Sequence, residues 1–97
     1  REKKLPGAIV CGNDDLAFGV LKALEETGRR VPQDIAVIGF DDNERAKSFS
    51  PPLTTVRQPL ARMGKDAVDI LIRQIECPVP WPVSKRYRPK LIVRKTA

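Results

Sequence analysis

Ninety-seven residues, 41% hydrophobic and 31% charged, describe a folded domain or a piece of one with a core of barely sufficient size, and exclude a disordered tract. The net charge of +6 is spread along the chain, with one local cluster at Lys85, Arg86, Arg88, Lys90, Arg94 and Lys95. That cluster contains a single aromatic, Tyr87, and no pattern of a reading helix, zinc finger or stacking platform, so solvated charge is favoured over a nucleic-acid groove. The sequence has no histidine and no CxxC spacing, which leaves zinc without a ligand set. Cys11 and Cys77, far apart, read as reduced thiols of a cytosolic protein rather than a disulfide framework. No run of about 20 apolar residues suggests a membrane span.

After a charged lead (Arg1 to Lys4), Ala8-Ile9-Val10-Cys11 is an apolar run short enough for a buried strand. Gly12-Asn13-Asp14-Asp15 follows, and Asn and Asp are preferred helix N-caps. A helix is predicted from about Asp15 to Thr27, stopped by Gly28, with Ala17, Val20, Leu21 and Leu24 on its apolar arc. Arg29 to Gln33 is a turn, and Asp34 to Phe40 a second strand, apolar on both faces as parallel strands tend to be. Strand, helix and strand in about thirty residues make a βαβ unit. Asp42 to Lys47 is predicted as one short helix, and Pro51-Pro52 as the start of an extended connection. Leu60, Met63, Ala67, Leu71 and Ile75 then recur at helical spacing, predicting a helix from Leu60 to Glu76 that Pro78 and Pro80 end. Trp81 to Pro89 reads as a loop or weak strand, and Leu91-Ile92-Val93 as the last strand.

Two pairs of residues stand out chemically. Asn13 and Asp41 each end a predicted parallel strand, and open α/β sheets bind ligands in the crevice outside those ends. A carboxylate accepts two O–H donors and an amide supplies one donor and one acceptor, a combination suited to the hydroxyls of a sugar or nucleoside. Helix capping is the competing role for Asn13, and the two are compatible. Asp14 is read as a first-turn acid favoured by the helix dipole, and Asp42 as a cap or turn. Asp41 and Asp42 do not read as a catalytic acid/base pair, because neighbours at a strand end point apart. With no nucleophile elbow and no phosphate loop either, the chain does not read as an enzyme. The second pair is Phe18, about 100° off the apolar arc of its helix, and Phe49, next to Ser50-Pro51-Pro52. Aromatics outside a core face are enriched at partner surfaces; the alternative is that each folds over its own domain.

Five blocks in order carry a resemblance. They are Ala8 to Asp14; Val31-Pro32-Gln33-Asp34-Ile35 with Val37-Ile38-Gly39-Phe40-Asp41-Asp42; Ser50 to Pro59 with its Pro-Pro-Leu-Thr-Thr; Met63-Gly64; and Leu91 to Thr96. Together they resemble the effector-binding core of the LacI/GalR transcriptional regulators. The resemblance implies an α/β, parallel-sheet βαβ fragment of a type I periplasmic-binding-protein-like fold, whose two subdomains clamp an effector. Residues 1–56 and about 90–97 would belong to the C-terminal subdomain, and about 57–89 to a crossing, helix and loop of the N-terminal one. Asn13 and Asp41 match positions that hydrogen-bond the effector, Gln58 matches a crossing residue at the cleft, and Phe18 and Phe49 match positions used for dimerisation. Leu60 departs from the cleft-lining aromatic of some members, so stacking on the ligand is not implied.

The resemblance points to the effector-sensing and dimerisation part of a cytoplasmic repressor-like regulator. Its expected partners are a sugar or nucleoside-like effector, a second copy of the chain, and operator DNA through an N-terminal head that these residues lack. No cofactor, metal or membrane is implied. Two other readings are an exported sugar-binding protein of the same fold serving a transporter, and a basic nucleic-acid-binding module.

Overall fold

Three short parallel backbone rows and one amphipathic helix build the part of the chain that carries Asn13 and Asp41. The computed structural model describes residues 5–80 and 82–97, so the charged lead and Trp81 lie outside the described residues. In order the elements are β1 (Ala8–Val10), α1 (Asp14–Glu26), β2 (Ala36–Ile38), α2 (Glu44–Ser48), β3 (Thr55–Arg57), α3 (Leu60–Glu76) and β4 (Lys90–Ile92). The chain divides into two units, one running to Arg57 and resuming at Lys90–Ala97, the other spanning Gln58–Pro89.

In the first unit β1 and β2 pair in parallel with Ala8 opposite Ala36, Ile9 opposite Val37 and Val10 opposite Ile38. The row continues past the strands, since Gly39 donates its N–H to Thr54 and Asp41 donates to Val56, both at 2.9 Å. β3 then pairs antiparallel with β4, Arg57 opposite Lys90. The segment after Pro51-Pro52, expected as a plain extended connection, is therefore a strand lying beside the end of β2. Thr96 closes the other side: its hydroxyl donates to the Val37 carbonyl at 2.7 Å and accepts from the Thr54 N–H at 2.8 Å. Buried hydroxyls of this kind are stable only when both capacities are used, as they are here.

Asn13 caps α1, its Oδ1 accepting the Leu16 N–H at 2.9 Å. Ala17, Phe18 and Leu21 are buried against Cys11, Val37, Ala46 and Leu53, with Val20 and Leu24 packed at the margin. Phe18 thus departs from the expected position outside the core face. The Phe49 ring stacks on it, and with Ala46 of α2 and Leu53 in the same cluster this covers a residue that helical spacing alone puts off the arc. β1 departs in the opposite sense. Val10 is 75% exposed, so β1 is covered on one face only and is not the buried strand expected. Cys11 is buried, which pushes its thiol pKa up and leaves it unreactive, whereas Cys77 is exposed; neither is in a disulfide.

In the second unit α3 spans the seventeen residues its periodicity predicts, yet none of them is buried. Leu60, Val68, Leu71, Ile72 and Ile75 are each about half exposed or more. Its polar face is pinned to the following loop by Asp66, which accepts from Lys85 at 2.7 Å and from the Tyr87 hydroxyl. No helix of the described residues is long and apolar enough to cross a membrane.

The tightest point is Gly39, where an added Cβ would stand 2.3 Å from an Asp14 carboxylate oxygen and 2.8 Å from a Leu53 methyl. Gly39→Ala is expected to destabilise the fold by about 1–3 kcal/mol in urea titrations. Gly19→Ala, on α1 with nothing within 4 Å of the new methyl, should instead stabilise it by about 0.5–1 kcal/mol. Equal effects from the two changes would contradict the packing described.

Candidate functional site

Asn13 and Asp41 each lie three residues beyond the last registered pair, Val10 and Ile38. The two loops are stitched together there, with the Asp14 N–H donating to the Phe40 carbonyl at 3.0 Å and the Asn43 N–H donating to Asp14 Oδ2 at 2.7 Å. Asn43 also reaches Asp15 Oδ1 with its side-chain amide at 3.3 Å while capping α2 through Oδ1. Asp41 has φ 108° and Asp42 φ 54°, both in the left-handed region. Non-glycine residues there cost about 1–3 kcal/mol each and persist only where the surroundings hold them.

The holding groups are those that strand and cap arguments pass over. Asp14 is in the first turn of α1, as read, and at 1% exposed is also a buried anchor. Besides Asn43 it accepts the Thr55 hydroxyl at 2.6 Å, and Thr55 in turn receives the Asp42 N–H at 3.4 Å. Asp42 is likewise more than a turn residue. Its carboxylate meets Arg57 Nε at 2.7 Å and Arg94 Nη1 at 2.8 Å, with only 8% of its side chain exposed. Burial pushes the Asp42 carboxyl upward, but the Arg94 and Arg57 guanidiniums outweigh it and hold the group below its ordinary value. The pair with Arg94, itself 13% exposed, is the stronger of the two, because Arg57 is half in solvent. With Asp42 committed to two arginines, the adjacent acids cannot share one substrate bond as an acid/base pair. No cluster of three or more metal-ligating side chains exists among the described residues.

Gln58 opens the second unit, where its carbonyl accepts the Leu60 N–H at 2.9 Å. Phe18 and Phe49 do come together: their rings stack with centroids 4.5 Å apart, and the Arg45 guanidinium lies 4.7 Å from the Phe18 centroid. They line a shallow surface concavity with Gly19, Lys22 and Glu25. The basic cluster, by contrast, is divided between the two units, and Lys85 and Arg94 are taken by Asp66 and Asp42.

Comparison with known proteins gives one family and consistent relatives. The family model described as a periplasmic binding protein-like domain matches residues 1–97. The transcriptional repressor PurR of Vibrio campbellii is 43% identical over 94 residues, which are 97% of this chain and 28% of that protein. PurR of Vibrio vulnificus is 44% identical over 91 residues, 94% of this chain and 27% of the relative. Among solved structures, the regulator CelR in complex with cellobiose superposes with a TM-score of 0.88 at 34% identity, over 94% of this chain and 28% of CelR. The lac repressor dimer bound to operator and an anti-inducer gives 0.86 at 35% identity, over 95% of this chain and 32% of that one. The chain therefore spans between a quarter and a third of the length of the proteins it matches.

Because Asp42 titrates lower in the fold than its unfolded value near 3.9, its ionised form stabilises the fold above about pH 4 and the benefit disappears as pH falls through the folded value. Asp42→Asn should cost about 1.5–3 kcal/mol at neutral pH. Thermal melts should show the gap to the unsubstituted chain constant between about pH 7 and 5 and closing below about pH 4. A gap that widens on acidification would contradict the double ion pair.

Proposed function

The chain belongs to the periplasmic binding protein-like domain family, in the branch of the LacI/GalR-type regulators, and on that premise we propose that it forms part of the effector-binding and dimerisation core of a cytoplasmic transcriptional regulator. The observation that carries this reading is the pair Asn13 and Asp41, each three residues past the end of one of two neighbouring parallel strands, on loops joined by the Asp14–Phe40 and Asn43–Asp14 hydrogen bonds. Such a crevice suits a polyhydroxylated ligand, with Asp41 accepting from hydroxyls and Asn13 contributing its amide N–H₂ while its oxygen caps α1. Gln58, at the first passage between the units, is the third proposed contact. Among the proteins matched, one binds cellobiose and another, from Enterococcus faecium, holds ribose, so a sugar or nucleoside-like effector is the class proposed here.

The unit containing β1 to β3 and β4 is assigned to the C-terminal subdomain of the family fold, and Gln58–Pro89 to the N-terminal one. Ligand would act by population shift, favouring one closure of the two subdomains and thereby biasing a dimer that engages operator DNA through a separate head. The dimer contact is placed at the concavity around Phe49, Arg45 and Lys22, where buried Phe18 serves as the floor rather than as the contact itself. That the matched sequences are named repressors favours a regulator over an exported transport protein.

A thermal-shift screen of the full-length protein with ribose, cellobiose, glucose, adenosine and guanosine tests the ligand site. One of these is expected to raise the melting temperature, and Asp41→Ala should abolish the shift. A shift that survives the substitution places the site elsewhere. Light scattering should find a dimer that Arg45→Glu with Lys22→Glu converts to monomer, and an unchanged dimer would remove this face from the interface.

A further inference from the structure

The two acids at the end of β2 are treated very differently by the fold. Each oxygen of Asp42 is taken by a different arginine, Oδ2 by Arg57 and Oδ1 by Arg94. The same Arg94 nitrogen also donates to the Leu53 carbonyl at 2.9 Å, so this arginine is itself tethered to the chain beside β2. Arg57 is the bridge partner of Asp41 in the backbone row, and Asp41 donates its N–H to the neighbouring Val56 carbonyl. Asp41 is therefore gripped twice: through its own backbone by the row at β3, and through the next residue's carboxylate by the arginines of β3 and of the segment after β4. Arg57 is also the last residue before the chain leaves this unit, and its partner Lys90 is the first on return.

We propose that Asp42 is a positioning residue for the effector contact at Asp41: its double arginine bracket holds residues 41 and 42 in left-handed backbone and so fixes where the Asp41 carboxylate is presented. The inference rests on Asp41 being a ligand contact. Left-handed backbone at two successive non-glycine residues lies outside any regular ladder, so it survives only under restraint. A carboxylate that orients a ligand must be held to within about 0.5 Å, which a bare strand end does not provide. Thr55 adds a weaker hold on the Asp42 N–H, and it is anchored by buried Asp14 rather than by ligand.

The test compares Asp42→Asn, Asp42→Gly and Asp41→Ala in the full-length protein by hydrogen exchange with mass spectrometry. Effector affinity is measured alongside, with whichever of ribose, cellobiose, glucose, adenosine or guanosine gives the largest thermal shift. Asn tolerates the left-handed backbone and Gly adopts it freely, so both remove the carboxylate without adding strain. Both variants are expected to exchange faster across residues 39–43 while 36–38 stays protected, and to lose at least about tenfold in affinity. Asp41→Ala should lose binding; alanine tolerates φ 108° less well than aspartate, so its exchange across 39–43 is expected to rise as well. Binding by both Asp42 variants within about twofold of the unsubstituted protein, with Asp41→Ala inactive, overturns the positioning role and leaves the site standing. Normal binding by Asp41→Ala brings down the site itself and this proposal with it. The exchange arm needs no ligand: unaltered exchange across 39–43 in both Asp42 variants is enough to refute the bracket.

Discussion

A buried carboxylate that is in no salt bridge among the described residues organises the first unit. Asp14, at the start of α1, accepts the hydroxyl of Thr55 and the N–H of Asn43, and so joins the helix, the loop after β2 and β3 at one point. Charge-assisted hydrogen bonds of this kind are short and worth more than neutral ones, and the N-terminus of α1 adds its favourable dipole. The arrangement has a steric condition. Asp14 and Leu53 fill the space beside residue 39, so that position must lack a side chain, and glycine stands there. Those contacts hold α1, the loop after β2 and β3 together beside the end of β2.

Elements were legible in the sequence because their signals are local. The Asn13 cap, the Gly28 stop and the 3.6-residue recurrence from Leu60 to Ile75 each depend on residues within a few positions of one another. What escaped is what the fold brings together across long separations. Asp14 and Thr55 are 41 residues apart, and Thr96 and Val37 are 59. No periodicity connects such pairs. A first-turn acid looks the same in sequence whether it is solvated or buried, so the first-turn reading of Asp14 and the cap-or-turn reading of Asp42 say nothing of the partners each acquires in the fold. Phe18 shows a related limit: angular position on a helix predicts burial only when a single flat surface covers it, whereas α2 and Phe49 wrap the flank.

The apolar faces make the same point from the other side. Periodicity reports that a helix has an apolar face and says nothing of what lies against it. α3 has an unbroken apolar arc and no buried residue, and β1 turns Val10 outward at 75% exposure. Parallel sheets normally carry cover on both faces, and the described residues supply it on one. The bonds that hold the site's loops lie elsewhere, running from Asp14 to Phe40, Asn43 and Thr55 and from Asp42 to Arg57 and Arg94.

Each parallel strand in this unit ends in a pair of polar residues, Asn13-Asp14 after β1 and Asp41-Asp42 after β2, and the pairs divide in the same way. The second member of each is turned into the protein: Asp14 to Thr55 and Asn43, Asp42 to Arg57 and Arg94. The first member of each is the one assigned to ligand. Asp14 lies in the first turn of α1 and Asp41 and Asp42 in left-handed backbone, so the anchored member, rather than strand alternation, is what restrains its neighbour. A site made this way is preorganised by bonds that do not involve the ligand, and loss of an inner carboxylate should disturb recognition without removing any contacting atom. The sequence signature of such a site is two short polar doublets at matched strand ends, with the structural residue second in each.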